Sequence, residues 1–314
     1  MEQSTYLFEK TGNWIKRNAR PLESALWRYY FEEGSKQEVI VFLEAFQNED
    51  GGFGNGLEPD FWLPKSSAIA TWTAAKLLYE LDIQANVPIV QKLIAYLVKT
   101  YDDQAGLWHT IEPETNDFPH APWWSWKEGV QKNWMYNPSA ELAGYLIHWS
   151  QNNPGAEHIG WLCIDKALSR VMEVDEMDFH EVNNYQQLVK VLKTNQTKLE
   201  QKTGYVFSEV QGQVLRLVEQ VIEYDPSKWG ESYLALPLDF IDSTDHPLYK
   251  KWKTTVEENI VYYLGVLDEE DIWDISWDWG TYPEVFSVAR TYWKGILAVQ
   301  RCKLFREFGL LKKD

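Results

Sequence analysis

The stretch 46-FQNEDGGFGNGLEPDFW-62 decides how this chain is read. Its glycines invite comparison with a phosphate-cradling loop. Such a loop follows a strand and ends in Lys-Ser/Thr, and neither feature is present. Glu49, Asp50, Glu58 and Asp60 would also repel a phosphate. The remaining reading is a tight turn joining two helices, with glycine supplying positive φ and close backbone approach.

The flanks agree. Upstream, 35-SKQEVIVFLEAFQ-47 places Ser35 and Glu38 at capping-box spacing, and Val39, Phe42, Leu43 and Phe46 on one helical face. Downstream, 66-SSAIATWTAAKLLYEL-81 and 87-VPIVQKLIAYLVKTY-101 are apolar at helical spacing. A long Trp/Pro-rich segment then runs to about Tyr136, before 137-NPSAELAGYLIHW-149. There Asn137 is expected as N-cap and Pro138 as the first helical residue. Helical patterns continue to the end of the chain and no strand pattern appears, so the expected class is all-α.

Within these helices an irregular repeat is visible. In 39-VIVFLEAFQNEDGGFG-54 an amphipathic helix leads into an acidic turn and then an aromatic residue. The same order recurs in 92-KLIAYLVKTYDDQAGLWH-109, 213-QVLRLVEQVIEYDPSKWG-230 and 259-NIVYYLGVLDEEDIWD-274. Repeated hairpins bury their apolar faces only against one another. One domain spanning residues 1–314 is expected, its hairpin turns gathered around a central cavity.

Composition narrows the function classes. The chain has 314 residues, 45% hydrophobic and 25% charged, which suits a packed globular protein. A formal net charge of −17 and no dense Lys/Arg run argue against nucleic acid as a partner. Only Cys163 and Cys302 are present, too few for a disulfide framework or a Cys-rich zinc site. No basic-then-apolar leader opens the chain and no apolar run nears about 18 residues, so no membrane span and a cytoplasmic location are expected. Aromatic residues are abundant, with 17 Trp, 17 Tyr and 13 Phe. Tryptophans in loops either pack those loops onto helices or line a cavity.

The string 47-QNEDGGF-53 resembles the Gln/Trp-type repeat of the squalene cyclase and protein prenyltransferase superfamily, in which a helix ending in Gln leads into an Asp-Gly turn and an aromatic. The longer 50-DGGFGNGLEPDFWLPKSSAIAT-71 resembles bacterial squalene-cyclase-like proteins of this size. That resemblance implies an α/α toroid, expected here with about ten to twelve helices. It also implies an aromatic-lined cavity that binds or cyclises an isoprenoid or similar apolar small molecule.

The family's chemical motifs are incomplete. A protonating cyclase uses Asp-x-Asp-Asp, with an acid kept protonated by its surroundings. The nearest string, 268-DEEDIWDISWDWG-280, departs from it but sets Asp274 and Asp278 among Trp273, Trp277 and Trp279. A prenyltransferase needs an Asp/Cys/His zinc site, and Cys163 with His158 is the only close Cys/His pair. Whether the protein is an enzyme is thus left open by its motifs.

The candidate catalytic residues are Asp274, Asp278, Glu58 and Asp60; the candidate substrate-binding residues are Phe53, Trp62, Trp123, Trp124, Trp277 and Trp279. No metal ligand set is expected and no cofactor, Mg²⁺ excepted should the substrate carry a diphosphate. Two alternatives stand beside the cyclase reading. One is a glycan-active hydrolase or lyase on the same fold, with Glu58, Asp60 and Asp278 as carboxylates roughly 5 to 9.5 Å apart across the bond. The other is a non-catalytic binding or scaffold protein. His109 and His120 are expected as loop hydrogen-bonders, and Lys65 as a partner for Glu58.

Overall fold

The computed structural model describes residues 2–311, with side chains from residue 6 onward. It is all-α. Among the described residues fourteen α-helices and three short 3₁₀ turns make up the regular structure, and two of the helices are only four residues long. Among the described residues no strand ladder forms, and extended pairing is limited to isolated bridges. The chain divides into two compact units, residues 46–221 and residues 1–45 with 222–314.

The 46–221 unit holds eight helices: α4 (Ala68–Glu80), α5 (Pro88–Thr100), α6 (Gln131–Trp134), α7 (Ser139–Trp149), α8 (Pro154–Glu173), α9 (Phe179–Leu192), α10 (Gln196–Thr203) and α11 (Phe207–Val221), numbered by their order in the whole chain. They pack as hairpins. The helix pairs α4–α5, α7–α8 and α9–α11 lie side by side, with α4, α7 and α9 in one layer and α5, α8 and α11 in the other. The centre of the unit is α7, which is buried on every face apart from His148. A helix apolar all round has no solvent face to present, and the sequence ELAGYLI meets that requirement.

Local chemistry sets the helix starts. Ser67 accepts a hydrogen bond from the Ala70 amide at α4, and Asn153 accepts one from Ala156 at α8. At α7 the expectation is corrected. Helix geometry begins at Ser139 with Pro138 as the capping residue, and the Asn137 side chain makes no cap. Its Oδ1 instead accepts from Asn184 Nδ2 of α9 at 3.0 Å. A buried amide between two helices gains more from a side-chain partner than from a helix end that Pro138 already opens.

The other unit holds α1 (Glu2–Asn18), α2 (Pro21–Phe31), α3 (Lys36–Glu44), α12 (Pro237–Phe240), α13 (Tyr249–Gly265) and α14 (Pro283–Glu307). The long α14 packs on α1 and α2, and α2 packs on α3. Ser35 accepts from the Glu38 amide at 3.2 Å, capping α3 as the sequence predicts. Arg20 and Glu23 form a buried bidentate pair at 2.8 and 2.7 Å, with the Arg20 guanidinium over the Tyr292 ring.

The four sequence repeats end in turns built alike. Each carries an Asp whose Oδ1 accepts backbone amides just ahead: Asp50 from Gly52, Asp102 from Gln104 and Ala105, Asp225 from Ser227, Asp268 from Glu270 and Ile272. Each also carries a buried aromatic plug: Phe53, Trp108, Trp229 and Trp273. The three indoles donate to backbone carbonyls behind them, of Leu97, Glu223 and Tyr263, at 2.9, 2.9 and 2.7 Å. The acid-then-aromatic pattern is therefore turn chemistry. The Asp satisfies amides that leave the helix ladder, and the ring fills the space under the turn.

Candidate functional site

The first turn fixes the loop that carries Glu58 and Asp60. Gly51 has φ +94°, and a Cβ there would lie 2.2 Å from the Lys92 carbonyl oxygen. Gln47 Nε2 donates to the carbonyls of Gly51 and Ile89, both at 3.0 Å, tying the turn to α5. Beyond it two further turns, closed by Leu57 N to Gly54 O and Phe61 N to Glu58 O, lead to a short pairing with the Trp/Pro-rich segment. Phe61 bridges to His120, the Ala121 amide donates to the Asp60 carbonyl at 2.9 Å, and the Trp62 amide to that of Pro119 at 3.0 Å.

These pairings bring five candidates together in the 46–221 unit: Glu58, Asp60, Trp62, Trp123 and Trp124. Glu58 and Asp60 are buried, and Glu58 Oε2 accepts the Asp60 amide at 2.8 Å. Trp62 is half-buried and donates to the Pro59 carbonyl at 2.7 Å. Trp124 is buried, stacked on Trp134 at 4.5 Å and edge-on to Phe61 at 5.8 Å. Trp123 alone of the five is exposed, at 38%. Phe53 is the plug of the first turn and is 0% exposed. Lys65 pairs with Glu114 at 3.5 Å rather than with Glu58. His120 bonds Phe118 O and Ser125 Oγ within its loop, and His109 meets Asp102 at 2.8 Å, as loop hydrogen-bonders do.

Asp274, Trp277, Asp278 and Trp279 belong to the other unit, on the loop before α14. Asp274 is held by cations. Burial raises its pKa, but the Arg290 guanidinium, the Ile275 amide and Lys294 outweigh that and hold the carboxyl below its ordinary value. The salt bridge is bidentate in form, through Arg290 Nε and Nη2. Asp278 is exposed, its Oδ1 accepts the Gly280 amide at 2.6 Å, and it lines an open cleft of about 540 Å³ with Trp14, Glu270, Phe286, Arg290 and Lys294. Trp277 meets Tyr233 and Trp293 edge-on, while Trp279 is buried against Phe286.

Three carboxyls outside the sequence-derived set have a raised pKa, Glu112, Glu141 and Asp239, and side-chain hydrogen bonds hold the last two. Glu141, on α7, is buried, and burial pushes its pKa up although Lys76, Tyr145, Trp72 and Lys190 all oppose the shift. Its oxygens accept from Trp72 Nε1 at 2.7 Å and from the Tyr145 hydroxyl.

Asp239, in α12, is the more accessible. Surrounding protein raises its pKa by desolvation, against the Leu236 amide, Arg301 and Tyr263, which lower it. Yet the residue is exposed by surface area. Leu236 N donates to its Oδ2 at 2.8 Å and Tyr263 Oη to its Oδ1 at 3.2 Å. The Arg301 guanidinium lies 4.1 Å from the Tyr263 ring centroid and 5.6 Å from that of Trp273.

Sequence reasoning passed over both. The signal for Glu141 was a lone charge in the otherwise apolar ELAGYLI; Asp239 sits likewise in the apolar LPLDFI. Among the described residues no group of three or more His, Cys, Asp and Glu side chains gathers as a bound metal ion would need. Cys163 is buried 3.6 Å from the Ser139 carbonyl, and burial raises its thiol pKa. No described helix is long and apolar enough to cross a membrane. No protein-family model, curated protein or solved structure matches the chain.

Proposed function

We propose that this protein is a squalene-cyclase-like protein on an α/α toroid scaffold, acting by proton transfer on an isoprenoid or similar small molecule, with Asp239 as the acid. The observation that carries the reading is an accessible carboxyl with a raised pKa beside a phenol and a guanidinium. Desolvation is the same device that keeps catalytic carboxylic acids protonated near neutral pH. Arg301 already covers the faces of Tyr263 and Trp273, so these rings are not free to hold a carbocation. The chemistry therefore suits an amphiphilic isoprenoid whose oxygen-bearing end meets Asp239, Tyr263 and Arg301.

The test is turnover of a panel of isoprenoid alcohols and epoxides by the wild type and by Asp239→Asn. The variant is expected to lose at least about 100-fold in kcat, the usual worth of a positioned general acid. Wild-type activity should fall as pH rises through the raised pKa, because only the protonated carboxyl donates. Full activity of Asp239→Asn, or a rate independent of pH from 4 to 8, would refute the assignment.

A glycan-active protein is the second reading, favoured by the exposed Trp123 on a segment whose Ala121 amide bonds the carbonyl of the buried Asp60. Trp123 fluorescence quenched by an oligosaccharide, in a protein silent towards isoprenoids, would put it first.

A further inference from the structure

A second cavity, of about 390 Å³, opens in the 46–221 unit where α8 meets the Met135–Tyr136 segment. Its floor carries two cations one helical turn apart, Lys166 and Arg170, and each is held in place. Arg170 donates through Nε and Nη2 to the two carboxylate oxygens of Glu181, both at 2.8 Å. Glu181 is buried and also accepts the Tyr136 amide at 3.2 Å. This leaves Arg170 Nη1 without a protein partner among the described residues.

Lys166 lies across the second repeat turn. A Cβ on Gly106 would stand 2.1 Å from its Cδ, and its Nζ donates to the Asp103 carbonyl at 3.2 Å, one of three available donors. Ser169 adds a half-buried hydroxyl, while Met135, Tyr136 and Val174 supply apolar wall. Met135 takes φ +46° and ψ −109°, a strained backbone for a non-glycine residue, as found where surrounding structure fixes a binding surface.

We infer that this cavity binds a small molecule through a carboxylate, received by Lys166 and Arg170, with the rest of the ligand against Met135, Tyr136 and Val174. Pre-positioned cations bind an oxyanion without the entropy cost of ordering long side chains. The volume lies in the range of small-molecule sites. A singly charged carboxylate is favoured over a phosphate dianion because Glu173 lines the cavity and the chain carries a net charge of −17. The site is independent of Asp239 and of the activity proposed for it.

Calorimetric titration of the intact protein with benzoate, hexanoate and inorganic phosphate tests this. Saturable binding of a carboxylate is expected at or below about 10 mM, weaker than 1 mM being usual for ligands so small. Lys166→Gln should weaken it about tenfold or more, by loss of one charge-assisted hydrogen bond. The melting temperature should stay close to wild type, since Glu181 keeps its arginine. Absence of saturable carboxylate binding, tighter binding of phosphate, or equal affinity in Lys166→Gln would each overturn the proposal.

Discussion

Glu141 shows how one side chain couples burial to pH. The carboxyl is raised in the native state by burial and is an ordinary exposed acid in the unfolded chain. Between the unfolded value, about 4.3, and the raised native value, the native state binds more protons. Stability contributed at this position is therefore fully present below the unfolded pKa and is lost as pH rises through the native one. Glutamine has the same shape and no proton to lose, so Glu141→Gln removes the pH-dependent part. Measured by thermal melts, the variant should lie further below wild type at pH 5 than at pH 8, or even pass it at pH 8. A constant difference across that range would mean that the native carboxyl titrates normally. Asp274 has the opposite sign. Its lowered pKa stabilises the fold above the unfolded value and is lost in acid as the Arg290 pair dissolves.

At the scale of the element, the repeat turn explains both what the sequence discloses and what it conceals. Helices were legible because apolar residues recur at helical spacing over a dozen positions, and the cap at Ser35 follows from its spacing to Glu38. The site was less legible because acid and aromatic residues have two uses, and pattern does not separate them. At Trp108 the ring is 1% exposed and its indole donates to Leu97 O, so it is a plug and not a ligand platform. Replacement tells the two apart. Trp108→Phe keeps most of the ring but leaves the Leu97 carbonyl unpaired in the core, at a cost of about 1–3 kcal/mol. Asp102→Ala removes acceptors from the Gln104 and Ala105 amides on the surface, and should cost about 1 kcal/mol. Urea unfolding checks both; unchanged midpoints would leave these residues free for a role in binding. Glu141 and Asp239 were missed for a related reason. A carboxyl becomes an acid through the helices around it, and the partners Trp72 and Tyr263 stand 69 and 24 positions away in the chain.

For the whole molecule the largest electrostatic quantity is its charge. Forty-seven acidic residues face thirty basic ones, a formal excess of −17. Ion pairs such as Lys16–Glu32 at 2.6 Å and Lys198–Glu157 at 2.8 Å return some of this locally. Each joins partly exposed groups, and such pairs contribute about 0–1 kcal/mol. Salt acts on both terms with opposite sign. It weakens the pairs, and it screens the repulsion among the unpaired carboxylates, which extends beyond the Debye length of about 10 Å at 0.1 M. With so large an excess the repulsion outweighs the pairs, because every added negative charge interacts with many others while each pair involves two groups. The melting temperature at pH 7 should therefore rise between about 10 and 300 mM NaCl, steeply at first and then level as the Debye length falls below the spacing of surface charges. A fall over the same range would show that local pairing dominates the electrostatics of this fold.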